Sequence, residues 1–306
     1  LPGDDRPQTR QRLEQSGCLW LEPSHAQYWQ TCAPVPAQQL ALDKPLLTLS
    51  TSGSTGEPKL IRKTLSQLQN ELQVLEQLWG NPLDNAVFFG SVITQHIYGF
   101  LFRLLWPLCA GRYFIRQHLP FAEEIQQQSM ACLTEGRPFV WVCSPALLKR
   151  MGDNLDWPQL AAVSRVFSSG GPLPAEAAAR LQQNLGQAPT EIYGSSETGG
   201  IAWRQGGTLW QPFDGVEPSQ DEQGALRIAS PCLPPGHVEQ TADAARIEAD
   251  GRFELLGRLD RIVKLEEKRI SLPMLEKALA EHPFVSEARL GVIEEGRASL
   301  AALVAL

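Results

Sequence analysis

Paired cysteines, histidine clusters, basic runs and long apolar stretches are all missing from this chain of 306 residues. Its six cysteines, at positions 18, 32, 109, 132, 143 and 232, form no C-x-x-C pair and have no histidine at ligand spacing, which argues against a zinc site. Cys109, Cys132 and Cys143 stand among apolar residues and read as reduced core thiols, so a cytoplasmic location is expected. A formal net charge of −7, without any basic stripe, gives no support for a nucleic-acid or anionic-membrane partner. No apolar run approaches the roughly 20 residues that span a bilayer. The opening "LPGDDRPQTR" has neither a charged n-region nor an apolar h-region, so it is not a signal peptide. It also lacks an initiator methionine, and Leu1 is expected to lie inside a longer gene product.

What is present is an alternation of short apolar runs and helical patterns. "PLLTLS" (Pro45 to Ser50) reads as a buried strand, and the following loop leads to a helix from Thr64 to about Trp79. Leu65, Leu68, Leu72, Leu75 and Leu78 make one apolar stripe on that helix. Thr64 with Gln67 fits a capping box, and Gly80 fits a C-terminal cap. "AVFFGSVIT", "FVWVCS", "VSRVFSS" and "TEIYGS" read as strands, separated by the helices "FLFRLLWPLCAG" and "PAEAAARLQQNLG". Such alternation predicts an α/β layered domain with a largely parallel sheet. After Gly200 come short strands with turn signals, including a hairpin turn at Asp250-Gly251, and then a small α+β unit. The expected division is a large domain over 1–256 and part of a smaller one over 257–306.

The stretch "LSTSGSTGEPKLIRKT" (Leu49 to Thr64) concentrates glycine, hydroxyls and lysine between predicted elements. Gly53 and Gly56 permit tight backbone geometry that brings N–H groups close to an anion. Thr51, Ser52, Ser54 and Thr55 add hydroxyls, and Lys59 adds a charge. The spacing does not match G-x-x-x-x-G-K-[ST], so a P-loop ATPase fits poorly.

"TSGSTGEPK" does resemble the phosphate-binding signature of the adenylate-forming superfamily, which holds acyl- and aryl-CoA synthetases and nonribosomal-peptide adenylation domains. Further signatures follow in the family's order: "QHIYG" (Gln95 to Gly99), "SSGGPL" (Ser168 to Leu173), "YGSSETG" (Tyr193 to Gly199), "TAD" (Thr241 to Asp243) and "GRLDRIVK" (Gly257 to Lys264). The resemblance implies a layered αβαβα large domain with a small β subdomain, ATP and Mg²⁺ as requirements, and a coenzyme A or phosphopantetheine thiol as acceptor. It implies that residues from Thr51 to Lys59 hold the β- and γ-phosphates of ATP. Gly170, Gly171, Tyr193 and Gly194 would flank the adenine, while Asp243 and Arg258 would hold the ribose. Glu197 would bind Mg²⁺, and Thr198 would bond the α-phosphate or the acid. Lys264 would face the site after domain rotation about Asp260. His96, Tyr98 and Gly99 would border the acid pocket, with room left by Gly199 and Gly200 and an aromatic wall from Tyr98 and Phe100.

Two departures are visible. The family carries a further lysine near its C-terminus, and this chain has no lysine after Lys277. "KLEEKRI" places Glu267 where the family has glycine, which puts the thiol acceptor in doubt. The expected function is activation of a small aryl or acyl carboxylic acid as its adenylate. Similarity to short synthetase-like proteins of carrier-protein pathways makes an acyl carrier protein a candidate partner. The alternative is a nucleotide- or adenylate-binding subunit without catalysis, and whether the chain is a fragment or a natural short form stays open.

Overall fold

The computed structural model describes residues 41–51, 59–265, 268–293 and 299–305. Strand β1 (Pro45–Thr51) pairs antiparallel with β2 (Lys59–Thr64), with Thr51 opposite Lys59. The glycine-hydroxyl loop therefore joins two arms of a hairpin, and the second arm enters helix α1 (Leu65–Trp79). Residues 52–58, which include Ser52, Gly53, Ser54, Thr55 and Gly56 of the expected phosphate loop, lie outside the described residues. The expected buried strand is instead largely exposed: Leu49 is buried, whereas Leu46 is not. A hairpin needs only one covered face, so its run of leucines does not require an interior position.

The capping box is present. The Gln67 N–H donates to Thr64 Oγ1, and the Gln67 side chain accepts from the Thr64 N–H. At the other end Gly80 keeps right-handed dihedrals, because the chain runs on into a 3-10 turn, Asn81–Leu83. Glycine is needed there for space, since a Cβ would stand 2.4 Å from the Glu76 carbonyl oxygen. The stripe on α1 is shifted from the expected one: Leu68, Glu71, Leu75 and Trp79 are buried, and Leu78 is exposed.

Next come β3 (Val87–Phe89), β4 (Tyr113–Phe114), α2 (Ala122–Thr134), β5 (Phe139–Cys143), α3 (Pro145–Arg150), β6 (Arg165–Ser168), α4 (Ala175–Leu185) and β7 (Thr190–Ser195). The stretch between β3 and β4 is helical, wound as π-helix over Phe100–Leu105. Ser144 caps α3 by accepting from the Leu147 N–H, and Gly186 ends α4 in the left-handed region. Strands β3 to β7 pair in parallel, in the spatial order β4-β3-β5-β6-β7.

At β7 the sheet changes sense. Strands β8 (Gly199–Gln205), β9 (Leu209–Pro212), β10 (Glu217–Gln220), β11 (Ala225–Ala229), β12 (Val238–Ile247) and β13 (Phe253–Arg258) continue it as antiparallel strands. The result is one sheet of 11 strands. Two antiparallel hairpins, β14 (Ile262–Leu265) with β15 (Lys268–Ser271) and β16 (Glu287–Ile293) with β17 (Ser299–Ala305), flank helix α5 (Leu272–Ala280). No described helix is long and apolar enough to cross a membrane.

Alternation along the parallel strands fills both faces. Phe88, Val140 and Val142 join α1 on one side, while Phe89, Trp141 and Cys143 join α2 and α4 on the other. Each such buried side chain contributes about 1.5–3 kcal/mol. Trp79 is the hub of the first face, with ring centroids 5.0 Å from Phe167, 5.7 Å from Trp203 and 6.1 Å from Phe213. Cys132, Cys143 and Cys232 are buried and free, but Cys109 is exposed at a helix end, contrary to its expected core position. Truncating Trp79 to alanine should lower unfolding free energy by about 3–5 kcal/mol in urea titrations. A loss below about 1 kcal/mol would mean the hub repacks.

Candidate active site

Four loops that follow parallel strands converge on one cavity of about 500 Å³. Ser91 follows β3, Ser144 follows β5, Ser169 and Gly170 follow β6, and Ser195 and Ser196 close β7. Ligands in open α/β sheets bind outside the carboxyl ends of strands, where the strand order or sense changes. This cavity lies at such a seam. Its apolar walls come from Leu75 on α1, Val92, Tyr98, Leu101, Phe102 and Phe213.

The turn between β7 and β8 is fixed from within. The Ser195 N–H donates to Thr198 Oγ1 at 3.0 Å, the Thr198 N–H donates to Ser195 Oγ at 3.1 Å, and the Thr198 hydroxyl donates to the Gly199 carbonyl at 2.9 Å. Thr198 is 1% exposed, and its hydroxyl is consumed by the turn. The hydroxyls on the cavity wall belong to Ser195 and Ser196 instead. Glu197 sits half-buried on the same turn, with Oε1 at 3.5 Å from the exposed Lys59 ammonium. An exposed pair of this kind is worth at most about 1 kcal/mol, so either charge is easily captured by another partner. Glu197 supplies a hard oxygen of the kind Mg²⁺ prefers alongside phosphate oxygens.

Across the seam the Tyr193 hydroxyl donates to Asp243 Oδ2 at 2.6 Å, and burial pushes the phenol well above its usual range. Its ring packs against Trp210 and Phe253. Arg258 stands opposite Asp243 in the β12–β13 ladder. Gly170 takes a left-handed φ of 89° with open space beside it, and Gly171 is also open. His96 is exposed at the cavity mouth. Tyr98 is buried, donating to the Cys143 carbonyl at 3.4 Å, and Gly99 sits where a Cβ would strike the Ile93 carbonyl. Phe102, one turn beyond Tyr98, makes the aromatic wall with it, and Phe100 is not among the lining residues. Asp260 falls in the turn Leu259–Arg261, and Lys264 lies in β14 opposite Arg269.

The family profile described as "AMP-binding enzyme" matches residues 3–228. The chain belongs to this family. It is thereby a member of the adenylate-forming superfamily. A curated relative, the 4-coumarate–CoA ligase of Cereibacter sphaeroides, is 30% identical over 248 residues, covering 80% of this chain and 56% of that protein. Acetyl-coenzyme A synthetase 1 of Candida albicans is 27% identical over 316 residues, covering 88% of this chain and 46% of that protein. The chain thus spans about half the length of the curated relatives it matches. The crystal structure of ATP-bound MatB from Rhodopseudomonas palustris superposes with a TM-score of 0.76 at 17% identity, over 89% of this chain and 60% of that one, and so shares the fold.

Two residues escaped the sequence reading. Lys63 is 3% exposed and donates to the carbonyls of Glu197 at 2.8 Å and Cys232 at 3.1 Å. Glu71 is 7% exposed and accepts from the Gly200 N–H, with the two carboxylate oxygens at 3.2 and 3.1 Å. Gly199 and Gly200 do line the cavity, but the room they leave is filled by this carboxyl group: a Cβ on Gly199 would stand 1.6 Å from Glu71 Oε1. The signals were a lone acid on the apolar stripe of α1 and a lysine in phase with buried Ile61 on β2.

Burial pushes the Glu71 carboxyl from 4.5 up to about 7, against the Gly200 N–H, the Lys63 charge and the Cys232 thiol, which pull it down. Burial likewise lowers the Lys63 ammonium, against the Glu71 charge first of all. A carboxyl that holds its proton longer when folded adds stability below its unfolded pKa and loses it as pH rises through the folded one. Stability should therefore fall between about pH 4.5 and pH 7. In Glu71→Gln that portion of the decline should vanish from thermal melts taken across the window. An unchanged slope would show that Glu71 is ionised throughout.

Proposed function

We propose that the chain binds ATP together with a small aryl or acyl carboxylic acid and joins them as the acyl-adenylate, releasing pyrophosphate. The adenylate then passes to a thiol of coenzyme A or of a carrier-protein phosphopantetheine. The observation that carries this reading is the cavity itself: apolar walls run from α1 to Phe213, and the lining residues Ser196 and Gly194 adjoin in sequence the Glu197 that pairs with Lys59 and the Tyr193 that bonds Asp243.

A free carboxylate is a poor electrophile because its leaving group would be oxide. Attack of a carboxylate oxygen on the α-phosphorus forms a new P–O bond, breaks the bond to the β-phosphate oxygen, and sends that electron pair out with pyrophosphate. Negative charge spreads over the phosphoryl oxygens, so aligned donors and cations supply most of the acceleration. Lys59 and the backbone of the adjoining loop would meet the β- and γ-phosphates. Glu197 would hold Mg²⁺, which supplies charge neutralisation at the phosphates. Ser196 takes the place beside the α-phosphate first expected for Thr198, whose hydroxyl serves the turn. Asp243 and Arg258 would hold the ribose, with Gly170, Gly171, Tyr193 and Gly194 around the base. His96 and Tyr98 would border the acid, while Lys264 would serve the thiol step after rotation about Asp260.

Acid-dependent ATP–pyrophosphate exchange tests the reading, run across aryl and aliphatic acids on this chain and on a version extended with a lysine-bearing C-terminal segment. Exchange is expected with a narrow set of acids. Asp243→Ala should weaken AMP binding by about tenfold or more, since hydrogen bonds to a charged group contribute roughly 1.5–3 kcal/mol. Phosphate release independent of any acid would contradict the proposal, and silence in both proteins with AMP still bound would leave an adenylate-binding subunit.

A further inference from the structure

Resting on the acid-activating role, the cavity carries information about which acid enters. Its interior wall is mainly aliphatic and aromatic, yet α1 inserts a carboxyl group between Leu68 and Leu75. Glu71 brings the carboxylate to that wall, whereas His96 stands at the exposed mouth. The two Glu71 oxygens share the Gly200 N–H as their one backbone donor, and the Cys232 thiol supplies a further, weak one. A carboxylate can accept about four hydrogen bonds. The nearby Lys63 directs two of its N–H groups to the carbonyls of Glu197 and Cys232. Glu71 thus keeps unused accepting capacity in a setting where unmet polar groups are costly.

We propose that Glu71 determines substrate specificity by accepting a hydrogen bond from a hydroxyl or amino substituent on an aryl acid. Tyr98, Phe102 and Phe213 give the cavity walls that suit a flat ring. A cavity of about 500 Å³ also lies within the range of small-molecule sites, which runs from about 300 to 1,000 Å³. A ring without a donor leaves the carboxyl group as poorly served as before. A ring with a second carboxylate meets a like group at close range, which raises the cost of ionising both. The selectivity is therefore for donor-bearing acids and against dicarboxylic ones. A purely structural tie from Glu71 to Gly200 would affect every acid alike.

The test is equilibrium binding to the full chain, which needs no turnover. Calorimetry would compare non-hydrolysable benzoyl-sulfamoyladenosine with its ring-hydroxylated, amino-substituted and carboxylated isomers at pH 8.5, with AMP as reference. At least one hydroxy or amino isomer should bind about tenfold tighter than the benzoyl compound, the gain expected of one hydrogen bond to a charged group. In Glu71→Leu that preference should drop below about twofold. Should the leucine variant not fold, Glu71→Gln keeps the side-chain shape, and there the carboxylated isomer should gain about tenfold over wild type. Equal binding of all isomers to wild type, or a preference that survives both substitutions, overturns the role of Glu71 while AMP-containing ligands still bind. Failure of AMP and every mimic to bind would overturn the acid-activating reading as well.

Discussion

A carboxyl group and an ammonium group buried within one small volume set the terms for everything around the cavity. Glu71 reaches across from α1 to the Gly200 N–H, and Lys63 reaches from β2 to the carbonyls of Glu197 and Cys232. Three segments distant in sequence are thereby fixed to one another: the hairpin that carries the glycine-hydroxyl loop, the turn that carries Glu197, and the loop around Cys232. Deleting either side chain leaves its buried partners unmet, at about 1–3 kcal/mol for each orphaned group. Stability alone does not account for such a pair. Its effect is positional, because a hydrogen bond to the Glu197 carbonyl fixes the backbone from which the Glu197 carboxylate projects.

The sheet provides the second constraint. Parallel strands on one side and antiparallel strands on the other share β7, so residues that follow β3, β5 and β6 face residues of the β7–β8 turn without any domain movement. Asp243, on the antiparallel side, is brought to Tyr193 on β7 by the same continuous ladder. The π-helical turn Phe100–Leu105 sets the opposite wall, where the wider winding accommodates Leu101 and Phe102 in the core.

Local signals in the sequence were read correctly where one or two residues decide the outcome. The Thr64–Gln67 capping box and the Asp250-Gly251 turn each rest on backbone groups within a few residues. The readings of burial that failed depend on what packs against a segment. "PLLTLS" looks internal until its pairing with β2 leaves one face to solvent, and Cys109 looks internal until the helix around it ends. Thr198 carries the expected chemical group, but its neighbours Ser195 and Gly199 consume the hydroxyl. Glu71 was invisible as a pocket residue because the stripe on α1 could be drawn through leucines alone. Only the approach of Gly200, 129 residues away, shows what the acid meets.

The crowding at the β7–β8 turn bears on how this pocket can change over time. Gly194 faces the Gly199 carbonyl, Gly199 faces Glu71, and Gly200 faces Phe213, each too closely for a Cβ to fit without displacing its neighbour. Enlarging Gly199 or Gly200 is closed to the protein unless Glu71 or Phe213 shrinks first, and Gly194 faces backbone that cannot shrink. Drift toward a new substrate must therefore run through the opposite walls, from Val92 to Phe102 and along α1, or through an ordered pair of changes that begins at Glu71. A single helix position thus acts as the gatekeeper of the pocket's own evolution.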